Sequence, residues 1–178
     1  MILETKRLSL REMTQNDFAS LCKILQDEKV MYAYEGAFSN EEVQQWLDRQ
    51  IARYESYGHR FGLYAVICKE TGDMIGQCGL TMQPWKDREV LEVGYLFRRD
   101  CWHKGYATEA AKTCKEYAFT TLHAHEVYSI IRDTNLPSQR VALRNGMKSV
   151  DTWTKHYRGI DMPHLLFCVK QSNRKEVL

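Results

Sequence analysis

The chain has 178 residues, 44% of them hydrophobic and 27% charged, the balance of an ordinary globular protein rather than a disordered or fibrous one. Its 25 basic and 23 acidic residues nearly cancel, so the net charge of +2 gives no reason to expect nucleic acid or an anionic membrane as partner. No run of about 18 apolar residues occurs, and Glu4, Lys6 and Arg7 stand where a signal peptide would be apolar, so a cytoplasmic protein folded as one domain over residues 1–178 is expected.

Along the chain, Leu8 and Leu10 alternate with Arg7, Ser9 and Arg11, which predicts a half-exposed strand over residues 5–12. Thr14, with Asp17 three residues on, predicts a capped helix over 15–26. Ser39-Asn-Glu-Glu42 reads as a second capping box, opening a helix that carries Val43, Trp46, Leu47, Ile51 and Tyr54 at helical spacing. An aromatic-containing connection, 26–38, joins the two helices. Strands follow over 61–68 and 74–82, joined by the turn Glu70-Thr-Gly-Asp73, and a third strand covers 89–98. Next come a helix over 105–121, a short apolar strand over 127–132, and a short helix after Asn135 closed by Gly146. Strands near 147–157 and 164–170 end the series.

This mixed order indicates an α+β or mixed α/β fold, with residues 89–132 as a strand–helix–strand crossover between parallel strands and a ligand at their carboxyl ends. Six cysteines without C-x-x-C spacing read as reduced and mostly buried, which argues against a zinc site or redox pair. His123 and His125 lack a third ligand at metal spacing and read as surface residues, so no metal is expected.

The stretch Asp100-Cys-Trp-His-Lys-Gly-Tyr-Ala-Thr-Glu-Ala110 places a glycine-containing loop between an apolar strand and a helix. The first turn of a helix has unpaired N–H groups and the positive end of the helix dipole, so such a loop can bind a phosphate without side chains. Gly105 permits close approach and small Ala107 keeps the passage open. Neither G-x-x-x-x-G-K-[ST] nor G-x-G-x-x-G occurs, which sets aside P-loop and Rossmann readings, and the absence of G-x-S-x-G disfavours a serine hydrolase.

Trp102-His-Lys-Gly-Tyr-Ala-Thr-Glu-Ala110 resembles the acyl-CoA pyrophosphate loop of the GNAT superfamily of N-acetyltransferases. It is most similar to the branch that includes the ribosomal-protein N-terminal acetyltransferases. Thr5-Lys-Arg-Leu-Ser-Leu-Arg11, Gly72-Asp-Met-Ile-Gly-Gln-Cys-Gly-Leu80, Glu92-Val-Gly-Tyr95 and the segment from Asn135 to Met147 match that branch in order and spacing. The resemblance implies a GNAT-like fold: a central mixed, mostly antiparallel sheet with a splayed parallel strand pair at the acyl-CoA site, flanked by helices. It also implies an acetyl-CoA-dependent N-acetyltransferase acting by direct attack of an amine in a ternary complex. The competing reading is a non-catalytic acyl-CoA-binding or regulatory domain; a transferase of longer acyl groups, decided by the room around Phe97, is a third.

By the same resemblance Leu96, Phe97 and Arg98 form the strand edge that pairs with pantetheine amides. The phosphate loop is His103, Lys104, Gly105, Tyr106, Ala107 and Thr108, Asn135 contacts pantetheine, and Arg98, Lys104, Arg99 and Arg140 could add positive charge near the phosphates. His103 departs from the family pattern, which has glycine there; a positive φ at this position would cost histidine about 1 kcal/mol. Glu92 is a carboxylate inside the apolar run Val90–Phe97 and the best-placed base for an acceptor amine, whose pKa in solution is about 8 to 10.4. Solvation or pairing with an arginine is its plain alternative. Ser138, three residues after Asn135, is a donor for the departing sulfur or simply a helix cap, and Tyr157 is a weaker donor candidate. Tyr32, Tyr34 and Glu35 lie on the connection expected to help choose the acceptor. That acceptor is an amine-bearing small molecule or a protein N-terminus, and the protein is a monomer or homodimer.

Overall fold

In the computed structural model, residues 2–34, 36–157 and 159–171 are described. Their elements in chain order are β1 (Ile2–Glu4), β2 (Leu8–Arg11), α1 (Phe18–Leu25), α2 (Asn40–Ser56), β3 (Leu63–Cys68), β4 (Met74–Trp85), β5 (Arg88–Phe97), α3 (Tyr106–Thr120), β6 (Glu126–Arg132), α4 (Leu136–Arg144), β7 (Lys148–Tyr157) and β8 (Ile160–Lys170).

Local chemistry explains most boundaries. The capping box of α2 closes in both directions: Glu42 N–H donates to Ser39 Oγ at 3.2 Å, and Ser39 N–H donates to Glu42 Oε2 at 2.8 Å. The strand predicted over 5–12 is shorter, Leu8–Arg11, and an additional strand, β1, precedes it, because Thr5 turns the chain. Its N–H bonds Leu8 C=O at 2.9 Å, and its hydroxyl accepts Leu8 N–H at 2.8 Å. The first helix starts later than expected. Residues Gln15–Asp17 form a 3-10 turn, in which the Asp17 carboxylate accepts Thr14 N–H and both Arg11 Nη groups, each at 2.8 Å. The strand predicted over 74–82 runs on to Trp85, where it pairs with Arg88 across a tight hairpin.

All eight strands form one sheet in the order β1-β2-β3-β4-β5-β6-β8-β7. Every neighbouring pair is antiparallel except β5 and β6, which are parallel. This is the mixed, mostly antiparallel sheet that the GNAT resemblance implies.

Adjacent side chains on β4 show how the helices are layered. Gln77 Oε1 accepts the Trp46 indole N–H of α2 at 3.0 Å, whereas the Sγ atoms of Cys78 and Cys114, on α3, lie 3.8 Å apart. Successive strand side chains point to opposite faces, so α2 and α3 cover opposite sides of the sheet. Cys78 pairs in register with Tyr95, whose hydroxyl donates to the Ser138 carbonyl, so α4 lies on the α3 side. Among the described residues no helix is long and apolar enough to cross a membrane.

Gly79 is the tightest point of the sheet. A Cβ there would stand 1.9 Å from the Gly62 carbonyl oxygen and 2.7 Å from Leu63 Cα, both backbone atoms that cannot rotate away. At Gly94 a Cβ meets nothing within 4 Å. Gly79→Ala is therefore expected to lower stability by about 3 kcal/mol or more, and Gly94→Ala by about 1 kcal/mol or less, in urea unfolding.

Candidate functional site

β5 and β6 make a single register contact, Glu92 opposite Tyr128, and then part. Beyond it, side chains replace the missing ladder. The Ile130 N–H donates to Glu92 Oε1 at 3.0 Å, and the Ser129 hydroxyl donates to the Val93 carbonyl at 2.8 Å. Arg98 N–H bonds Ile75 C=O, so the antiparallel alternation turns the backbone groups of Leu96 and Gly94 toward β4 and those of Tyr95 and Phe97 toward the gap. The Phe97 carbonyl accepts the Trp102 indole N–H at 2.9 Å. The Tyr95 amide is thus the exposed backbone pair of this edge.

The loop after β5 bends sharply into α3. His103 has φ +61° and Gly105, the N-cap, has φ +80°. The first intrahelical bond is Glu109 N–H to Gly105 C=O at 3.1 Å, so the N–H groups of Tyr106, Ala107 and Thr108 precede it and have no protein acceptor among the described residues. Arg7, the residue before β2, braces this turn from outside. Its Nε donates to Glu109 Oε2 at 2.7 Å, its Nη1 to the Lys104 carbonyl at 2.9 Å, and its guanidinium lies 4.5 Å above the Tyr106 ring. Burial alone would raise the Glu109 carboxyl, but hydrogen bonds from Thr5 and Arg7 hold it below its ordinary range. The anion at the first turn of α3 therefore persists at neutral pH and is taken up by the brace.

On the α2 face, a groove of about 630 Å³ runs between α2 and the β7–β8 hairpin. Glu92 lies in its floor. Burial pushes the Glu92 carboxyl up from its usual value, while the Ile130 N–H and the charge of Lys155 oppose that shift. Burial lowers the Lys155 ammonium, and Glu92 opposes. Burial also lowers His164, whose Nδ1 lies 2.8 Å from the Met162 carbonyl and therefore carries the proton, leaving Nε2 as an acceptor. Tyr34 leaves 45% of its surface open, yet its hydroxyl end is crowded and near Glu92, so burial and that charge raise it to about 12.

Tyr34, Glu92, Leu96, Asn135 and Ser138 all line this groove. Tyr32 does not line it; its hydroxyl donates to Asn135 Oδ1 at 2.9 Å. Glu35 and the side chain of Tyr157 lie outside the described residues. The Phe97 side chain is core, packed where a Gly76 Cβ would meet it at 2.5 Å, so room around that ring is not room in the groove. Arg98 sits outside the groove in an ion pair with Asp100 that holds the aspartate down at about 2. Arg99 pairs with Asp27 at 3.1 Å, and Arg140 is exposed on α4. The cap of α4 is Asn135, not Ser138: Asn135 Oδ1 accepts the Ser138 N–H at 3.2 Å.

Tyr95, Arg132, Lys155 and His164 line the groove without having been singled out in the sequence. Tyr95 stood within the matched Glu92–Tyr95 segment and could have been found there. The others had no local signal. No group of three or more His, Cys, Asp or Glu able to hold a metal occurs among the described residues.

A parallel pair that opens beside an uncapped helix N-terminus is the arrangement of the GNAT fold, and comparison with known proteins agrees. The family model described as an acetyltransferase (GNAT) domain matches residues 7–148, and the chain belongs to that family. It is 34% identical to the Bacillus subtilis protein YkkB over 157 residues, covering 86% of this chain and 90% of the relative. It is 32% identical to the N-acetyltransferase p20 of Bacillus licheniformis over 137 residues, 76% of each chain. Among solved structures, the GNAT-family acetyltransferase from Bacillus anthracis superposes with a TM-score of 0.80 at 21% identity, covering 96% of this chain and 98% of that one. The ribosomal L7/L12 α-N-protein acetyltransferase RimL, solved in complex with coenzyme A, gives 0.79 at 14% identity over 96% and 98%; likeness at this level concerns the fold.

The cap assignment has a direct check. Asn135→Ala is expected to cost about 1 kcal/mol of stability and Ser138→Ala distinctly less, measured by urea unfolding of both variants.

Proposed function

We propose that the whole chain acts as one acetyl-CoA-dependent N-acetyltransferase domain, in which an acceptor amine attacks the thioester directly in a ternary complex. The observation that carries this reading is the pairing of an uncapped α3 N-terminus with a strand gap whose floor holds a half-buried carboxylate. The residues present fit the co-substrate. The free N–H groups of Tyr106, Ala107 and Thr108 suit a pyrophosphate, with Lys104 adding charge. The Tyr95 amide on the open β5 edge, with Asn135 across the gap, suits an arm of amides. Bound acetyl-CoA supplies the activated acetyl group.

This chain's own part is proton handling and alignment. A protonated amine cannot attack, so Glu92 takes the proton, directly or through water. Its raised pKa brings it closer to that of an amine, and the Ile130 N–H fixes Oε1 so that Oε2 is left for the acceptor. Tyr95 holds α4 at a set distance through its bond to the Ser138 carbonyl, which keeps the Ser138 hydroxyl at the groove wall as the donor to the departing sulfur. Thiolate at a pKa of about 8.5 is a tolerable leaving group, so this donor contributes less than the base. Tyr34, which lines the groove, is the proposed acceptor-side contact, and Tyr32 holds Asn135 from outside it.

Gly105→Val should abolish coenzyme A binding by calorimetry while the protein stays folded, because the branched side chain meets a positive φ and narrows the phosphate cradle. Unchanged affinity would remove the site. Glu92→Gln should retain coenzyme A affinity and lower turnover roughly 10²-fold. In the wild type, Glu92 is active only as the carboxylate. Assayed with a weakly basic acceptor such as a hydrazide, kcat/KM should rise with pH through a value above the ordinary glutamate range of about 4.3. That limb should vanish in Glu92→Gln.

A further inference from the structure

Strand register places the acceptor side of the groove on one face of the sheet. Arg132 of β6 stands opposite His164 of β8, which stands opposite Trp153 of β7; Lys155 follows Trp153 on the same face, opposite Met162. Two cations on this face are incompletely satisfied. The Lys155 Nζ lies 5.4 Å from the Trp153 ring centroid and 5.9 Å from that of Trp85, and among the described residues no carboxylate approaches it within ion-pair distance. Ring faces offset only part of the loss when an ammonium is drawn half out of water. Arg132 donates from Nη1 to the Tyr32 carbonyl at 3.1 Å, but its Nε–H is buried with no partner among the described residues. A buried, unpaired guanidinium N–H costs free energy that a bound acceptor atom would recover.

Both cations line the same groove as Glu92, and Lys155 faces that carboxylate from beyond 4.0 Å, so the groove has a negative end for an amine and a positive wall beside it. We propose that the acceptor carries a carboxylate a few ångströms from its reacting amine, bound by Lys155 and Arg132 while the amine addresses Glu92. The inference rests on the transferase reading for the amine end, and names the class of acceptor. Planar, bidentate-capable guanidinium and a mobile ammonium are the groups that take up a carboxylate. The same charges disfavour a polycationic acceptor and favour the uncharged form of the incoming amine. One chemistry has two sources here: the carboxylate of a free amino acid, or an acidic side chain following the amino terminus of a peptide.

The test measures binding separately from turnover, by calorimetry on the full chain loaded with coenzyme A. The probes are free alanine, alaninamide, three hexapeptides beginning Ala-Asp-Asp, Ala-Ala-Ala and Ala-Lys-Lys, and spermidine. At least one carboxylate-bearing probe should bind 10-fold or more tightly than its neutral counterpart, and whether that probe is alanine or the Asp peptide identifies the source. The ratio should collapse in Lys155→Met and in Arg132→Met and persist in Lys155→Arg, which keeps the charge if the methionine variant folds poorly. Equal affinity for acidic and neutral probes overturns the proposal, as does preference for spermidine, uniform weakening of every probe in Lys155→Met, or no binding by either carboxylate-bearing probe. Carboxylate-selective binding with no acetyl transfer to any probe supports the proposal and instead overturns the transferase reading.

Discussion

A parallel strand pair that separates after one point of contact leaves backbone N–H and C=O groups with no ladder partner, and buried backbone groups cannot remain unpaired without cost. In this chain the gap between β5 and β6 is closed by particular side chains. Glu92 accepts the Ile130 N–H, Ser129 donates to the Val93 carbonyl, and Trp102 donates to the Phe97 carbonyl. What they leave, the amide of Tyr95, lies on the edge where an amide-bearing ligand can complete the sheet. Glu92 thus commits Oε1 to the fold and, in the proposed mechanism, leaves Oε2 for the chemistry. The desolvation that its position imposes is also what raises its pKa.

The second requirement is a loop willing to adopt left-handed backbone just before α3. Gly105 does so freely, whereas His103 at φ +61° carries strain. The strain is held by contacts from outside the loop: Arg7 binds the Lys104 carbonyl and pairs with Glu109, and Trp102 is anchored to β5. Arg7 thus fixes the shape of a loop 97 residues away at Lys104, the loop proposed to hold the phosphates. Because Glu109 is taken up by Arg7 and Thr5, its carboxylate is held by the brace, which leaves the dipole of the first turn of α3 available to the anion proposed to bind there.

On the α2 face, the groove is built from three layers of contact. Trp46 binds Gln77 and holds α2 as one wall. Arg132 and Asn135 engage Tyr32, tying the α1–α2 connection to β6 and α4 across the opening. Trp85 and Trp153, edge to face at 5.6 Å, support Lys155 at the other wall. Charge on this face follows from that packing, because the partners of the cations among the described residues are aromatic rings and a carbonyl rather than carboxylates.

What the sequence determined was local. The Ser39–Glu42 cap closes within four residues, the alternation of β5 assigns Glu92 and Phe97 to opposite faces, and a glycine between strand and helix marks the uncapped start of α3; each rests on bonds between near neighbours in the chain. The GNAT resemblance added the overall architecture and the family, and both stand. Tertiary structure alone decided which distant groups meet. Side-chain periodicity states which residues share a face, but not which strands lie side by side, so the order β6-β8-β7 and the convergence of Arg132, His164 and Lys155 were not legible. The same holds for Arg7 on Glu109 and Tyr95 on Ser138, and for the cap role passing from Ser138 to Asn135. These depend on where a side-chain end arrives after the whole sheet has twisted and packed, and no local pattern in the chain encodes that position.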